Sequence, residues 1–278
     1  MMKLGTSAII TIGALLSFSA GCLMEAGFDA EGIDEDVDLD TLTGGGGGNG
    51  IITGNGASAL TPTILNTYAS LASTLTLDAL TPSALESSDL LTSLLGRTFL
   101  EYAVKCALPL GQNLTATHLG VPYTYYGRVG ITPNWLTGAL STSDRRWLSA
   151  CMLAHVNATQ TSVPILLRGN HPALSVPVGP EGAAFTLREG AFYGDIFGLV
   201  ASKYACSGVG STSARLCTES VAGLSSCGFT VPGDCRGTFQ NTCEGVVGGY
   251  YDTCHSGLIL PLLPSTAYPE TITVYLQP

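Results

Sequence analysis

Four histidines, three closely spaced acids and nine cysteines are the residues of this 278-residue chain whose types could do chemistry. A Ser-His-Asp set can be composed from His155 or His171, Asp195 and one of many serines. In such a set the imidazole takes the hydroxyl proton and the carboxylate orients the ring. A pair drawn from Glu181, Glu189 and Asp195 could divide acid and base roles across a glycosidic bond. Neither set has a local signature, because the chain contains no G-x-S-x-G and no H-E-x-x-H. Each residue also has a plainer reading. His155 follows Cys151 by one helical turn, as a satisfied core histidine would. His171 stands before Pro172 in a turn-like loop, Arg168 to Pro172. Glu189 beside Arg188 reads as an ion-paired strand edge. The plainer readings are favoured. His118 and His255 have no partner pattern.

The elements that must hold these residues can be placed by periodicity and punctuation. Ala59-Leu60-Thr61-Pro62 recurs as Ala79-Leu80-Thr81-Pro82, and each offers a capping threonine followed by proline at the first helical position. A helix is expected over 62–74 and another from 83 or 89 to 108, with Leu91, Leu95, Phe99, Tyr102 and Cys106 on one face. Ser141 to Asp144 matches a capping box and opens a helix through about Asn157, with Trp147, Cys151 and Ala154 or His155 on one face. Strands are expected over 122–130, 163–167, 184–187, 191–197 and 271–276. The fold class is α+β, a helical first half (59–160) packed on a β- and loop-rich, disulfide-stapled second half (161–278). Tyr123, Tyr125, Tyr126, Trp135 and Trp147 could form a stacking platform for sugar or peptide, but packing with wet polar tips is the favoured reading.

The N-terminus carries an address. Lys3, an apolar stretch from Ala8 to Phe18, and small residues Ser19, Ala20 and Gly21 before Cys22 have the layout of a secretory signal. The apolar run is shorter than the ~20 residues of a permanent membrane span. Ser19-Ala20-Gly21-Cys22 resembles the lipobox of bacterial lipoproteins, with Ser19 in the place where that family prefers leucine. The resemblance implies cleavage after residue 21 and acylation of Cys22. Leu23, where aspartate would imply inner-membrane retention, implies the outer membrane.

Setting Cys22 aside leaves eight cysteines: Cys106, Cys151, Cys206, Cys217, Cys227, Cys235, Cys243 and Cys254. In an exported chain an even set reads as four disulfides. Cys106 and Cys151, each on the apolar face of an expected helix, are expected to pair. The six from Cys206 to Cys254 admit 15 pairings that sequence alone does not separate. Zinc sites want two to four residues between paired ligands, and the gaps here are longer. No metal and no cofactor are expected.

The net charge of −10 is concentrated. Glu25, Asp29, Glu31, Asp34, Glu35, Asp36, Asp38 and Asp40 face no base in residues 23–60, whereas residues 61–278 carry 13 acids against 10 bases. With the Gly44–Gly48 run, residues 22–58 read as a disordered tether, about 30–36 Å in mean reach. No basic stripe exists to neutralise phosphates, so no nucleic-acid partner is expected. Arg145 to Asn157 (RRWLSACMLAHVN), followed by Val163 to Leu174 and by Glu189 to Gly194, is similar to uncharacterised Cys-rich lipoproteins of Gram-negative bacteria over about 95–255. That resemblance implies address and disulfides, and no activity. The expectation is an anchored, non-enzymatic envelope protein held to a membrane through Cys22, with an envelope protein or polysaccharide as partner. The rival expectation is an anchored hydrolase of envelope or extracellular polymers.

Overall fold

The computed structural model describes residues 51–53, 59–159, 163–208, 215–238, 241–259 and 264–278. Cys22, the signal segment and the tether up to residue 50 lie outside the described residues. In chain order the elements begin with β1 (Ile51–Thr53), α1 (Pro62–Ala72), α2 (Pro82–Glu86), α3 (Leu94–Ala107), β2 (Asn113–His118), β3 (Val121–Tyr126) and α4 (Thr142–His155). They continue with β4 (Ile165–Arg168), β5 (Leu187–Asp195), β6 (Ser202–Ser207), β7 (Ser220–Val221) and β8 (Leu224–Ser225). The last four are β9 (Cys243–Val247), β10 (Tyr250–His255), β11 (Ala267–Tyr268) and β12 (Ile272–Leu276). The fold is α+β. No described helix is long and apolar enough to cross a membrane.

The threonine–proline repeat acts as its chemistry dictates. Thr61 Oγ1 accepts from the Ile64 amide at 3.3 Å and Thr81 Oγ1 from the Ala84 amide at 3.1 Å, each with proline in the first turn. The expected helix to residue 108 is broken in three. α2 ends at Glu86 with Ser87 as its cap, a 3-10 turn spans Asp89–Thr92, and Ser93 starts α3 afresh by accepting from the Gly96 amide at 3.0 Å. Serine hydroxyls compete for backbone groups and so punctuate a face whose apolar period is otherwise continuous. Leu95, expected on that face, is exposed, while Phe99, Tyr102 and Cys106 are buried. The capping box of α4 forms in full, with Asp144 Oδ2 reaching back to the Ser141 amide.

The central sheet is antiparallel, in the order β1-β4-β12-β5-β6. Both of its faces are covered, and the strands show it by alternation. Ile165, Leu167, Phe192, Ala205, Ile272, Val274 and Leu276 join the core formed with α1, α3 and α4. On the opposite face Ala191, Tyr193 and Cys206 pack with Tyr251, Cys254 and Tyr268 of the smaller β11-β10-β9 sheet. Leu166 and Tyr275 meet Ile52, Val178 and Phe185 there. Gly190 permits the β5–β6 contact, since a Cβ at that position would lie 2.1 Å from the Cys206 carbonyl oxygen.

Three expectations change. Ile51–Thr53, assigned to the tether, is an edge strand pairing with Ile165–Leu167, because two β-branched side chains find apolar partners that local composition does not reveal. The strand expected over 122–130 is present as β3 but ends at Tyr126, and an unexpected β2 pairs with it in a hairpin closed at Leu119 and Gly120, both with positive φ. Residues Pro180–Ala184 form a 3-10 turn, and the strand expected at 184 begins at Leu187.

Four disulfides staple the body. Cys106–Cys151 joins α3 to α4, as the two apolar faces require. The six later cysteines pair as Cys206–Cys235, Cys217–Cys227 and Cys243–Cys254.

Candidate functional site

Of the acid and base residues singled out above, only His171 and Glu181 line one cleft, and the others lie apart. His155 is fully buried at the end of α4. Its Nδ1 lies 2.8 Å from the Cys151 carbonyl oxygen and 3.7 Å from Cys106 Sγ, and its Nε2 lies 3.3 Å from Thr53 Oγ1. Burial pulls its pKa down to about 3, with the nearby Lys105 and Arg215 cations adding to the effect. It is therefore a neutral core histidine holding the α3–α4 bridge and the edge strand β1.

Glu189 is the extra residue of a β-bulge, where the β5–β12 register slips between Val274 and Tyr275. A bulge re-aims a side chain. Here it delivers the carboxylate to Arg215, and both side chains are fully buried. Arg215 also donates to the carbonyls of Ala154 and Val156, so the guanidinium closes the C-terminal end of α4. The ion pair expected between Arg188 and Glu189 does not form. Arg188 donates to Tyr275 Oη at 2.9 Å and lies over the Tyr251 ring. Asp195 ends β5, pairing with Arg145 at 3.4 Å and accepting from the Phe197 amide at 3.1 Å.

Two cysteine groups, Cys106–Cys151–His155 and Cys206–Cys235–Cys243, are compact enough to hold a metal by geometry. Their sulfurs are consumed in disulfides, and a metal requires thiolate. His255 sits between Ser265 Oγ at 3.1 Å and Glu244 Oε1 at 3.2 Å. The aromatic platform is also dispersed. Trp135 is buried and donates from Nε1 to the Leu75 carbonyl, Tyr125 is buried, and Trp147 packs on His171.

His171 and Glu181 are different, because both line an open cleft of about 780 Å³. That is within the range of ligand pockets. The cleft gathers β1 (Ile51, Ile52), the segment after α3 (Pro109, Leu110), residues 128–134, the first turn of α4 and residues 171–181. Its wall is chiefly proline, valine and isoleucine, and Val176 and Leu110 are exposed. His171 Nδ1 accepts from the Ala173 amide at 3.2 Å and caps the 3-10 turn Pro172–Leu174. Partial burial lowers its pKa below the usual histidine value. The ring is therefore neutral near pH 7, with its proton on Nε2. Glu181 Oε2 is buried and has no hydrogen-bond partner among the described residues. Its carboxylate folds over Gly179, where a Cβ would lie 2.4 Å from either oxygen. Across the described residues the Arg128 guanidinium enters no ion pair. Asp144 belongs to the capping box and holds Asn134 Nδ2 at 3.3 Å.

Sequence reasoning missed Arg215 and Arg128, and it missed the cleft. A trace was present in the prolines Pro172 and Pro177, which keep α-helix and strand out of one wall. Comparison with known proteins returns no matching family model, no matching curated protein and no matching solved structure.

Proposed function

We propose that this chain is an exported binding protein of a bacterial cell envelope, anchored through lipid on Cys22 and presenting the 171–181 cleft to a protein or polysaccharide partner. One observation carries the reading. Among the described residues Glu181 Oε2, the Arg128 guanidinium and His171 Nε2 on the cleft meet no partner, whereas His155, Glu189 and Asp195 are spent on holding the fold. Proteins commonly bind at an apolar pocket with a few convergent polar groups. Four disulfides are compatible with an oxidising, exported compartment. The lipobox resemblance supplies the anchor, and Leu23 favours the outer membrane. The hydrolase reading has less support, because His155, Glu189 and Asp195 are held by different partners and only His171 and Glu181 of its candidates share the cleft.

The test is site-specific photocrosslinking in intact cells, with the crosslinker at Val176 on the cleft rim and, as control, at the exposed Leu199. A discrete adduct from Val176 alone supports the reading. Equal or absent adducts from both positions refute the cleft as the binding face. Incorporation of a labelled fatty acid that is lost in Cys22→Ser tests the anchor.

A further inference from the structure

The polar groups left unspent in the cleft have a chemical pattern. Glu181 Oε2 is an acceptor withdrawn from water and unmatched among the described residues. That oxygen is closed against Gly179 and out of a ligand's reach, so a ligand cation meets the carboxylate through its other oxygen, in a charge-assisted hydrogen bond. Arg128, on the same cleft, is a cation without an acid partner among the described residues, suited to a bidentate carboxylate. His171 adds a neutral N–H donor and Asn134 an amide. Between these polar groups the wall is apolar: Ile131, Pro133, Val176, Pro177 and Val178. A ligand that satisfies the set carries an amine cation, an apolar body and a carboxylate. That is the constitution of a short apolar peptide with free ends. Its extended form also suits the place, because Ile51 and Ile52 of the cleft belong to β1, the last strand of the central sheet among the described residues, and main-chain pairing with an extended peptide adds affinity.

We infer that the cleft binds short apolar peptides by their free termini, with Glu181 taking the α-amine and Arg128 the α-carboxylate. The inference rests on the cleft being the binding face. Gly179 is a positioning residue in this scheme. Its lack of a side chain lets the Glu181 carboxylate lie where it does, and Gly179→Ala displaces that carboxylate without changing charge.

The experiment is titration calorimetry on the full-length protein in detergent, with di- to pentapeptides of leucine and alanine. Each is tested with free ends, with the amine acetylated, and with the carboxylate amidated. At the length that fits, acetylation and amidation each weaken binding by about tenfold or more, as loss of a charged hydrogen bond implies. Glu181→Gln and Gly179→Ala abolish the acetylation effect and keep the amidation effect. Arg128→Gln does the reverse. All three positions are half-buried on the cleft wall, and the melting temperature of each variant guards against a loss of fold. Equal binding of free and blocked peptides, unchanged discrimination in the variants, or no binding at any length overturns the inference. A Val176 crosslink in cells together with such a result leaves the binding face intact and rejects only the peptide. Loss of both rejects both.

Discussion

Arg215 and Glu189 form an ion pair with neither side chain exposed, and the same guanidinium also closes the carbonyl end of α4. A bulge in β5 and a residue outside any regular element thus secure the helix that carries both Cys151 and His155.

Removal of one partner leaves a charge buried without compensation. Glu189→Ala is expected to lower stability by ~3–5 kcal/mol. The pair Glu189→Leu with Arg215→Met recovers only part of that loss, because the Ala154 and Val156 carbonyls still lose their donor. Urea denaturation of the three proteins checks this. A catalytic Glu189 would instead remove an activity at little cost in stability.

His155 makes the fold acid-sensitive. Its folded-state pKa lies near 3, below the ordinary value of 6.5. Above the ordinary value both states are neutral and the residue contributes nothing to the pH dependence. Below it the unfolded chain takes up a proton and the folded chain does not, so stability falls by about 1 kcal/mol per pH unit. Urea midpoints between roughly pH 6 and pH 4 should decline less steeply in His155→Gln than in the parent, although that variant is less stable at pH 7.

The four bridges contribute unequally. Cys106–Cys151 spans 45 residues and Cys217–Cys227 only 10. Chain-entropy scaling assigns about 4 kcal/mol to the first and about 3 kcal/mol to the second. Paired Cys→Ala variants should follow that order in melting temperature. Peptide mapping without reductant should recover 106–151, 206–235, 217–227 and 243–254 as the linked pairs. A free thiol among these eight in the exported protein would break the assignment.

Ser141→Ala removes the acceptor of the Asp144 amide at the start of α4. The expected loss is ~1 kcal/mol. Because Asp144 and Asn134 line the cleft, the same change should shift backbone amide NMR signals along 131–134 and 171–181. Shifts confined to α4 would show that the cap and the cleft wall are independent.

Local chemistry made much of this molecule legible before any coordinates. The capping threonines, the Ser141 box, the apolar faces carrying Cys106 and Cys151 and the strand at 272–276 follow from interactions within a few residues. The Cys106–Cys151 pairing followed from two such faces needing each other. The pairing of the six later cysteines did not, since short glycine-rich connections leave every pairing sterically open until the β9–β10 hairpin forms. Nor could the sequence show that Glu189 turns away from its neighbour Arg188. The bulge that re-aims its side chain arises only when β5 pairs with β12, and its partner Arg215 lies 26 residues on in the chain. The cleft belongs to the same class. Its walls come from five separated segments, and only the packed sheet and α4 bring Arg128, His171 and Glu181 to one surface. Thus the sequence by itself determined many of the local elements and the Cys106–Cys151 pairing, and it carries the motif on which the proposed anchor rests. Tertiary packing decided which polar groups are consumed and which remain for a ligand, because burial and pairing depend on residues distant in sequence.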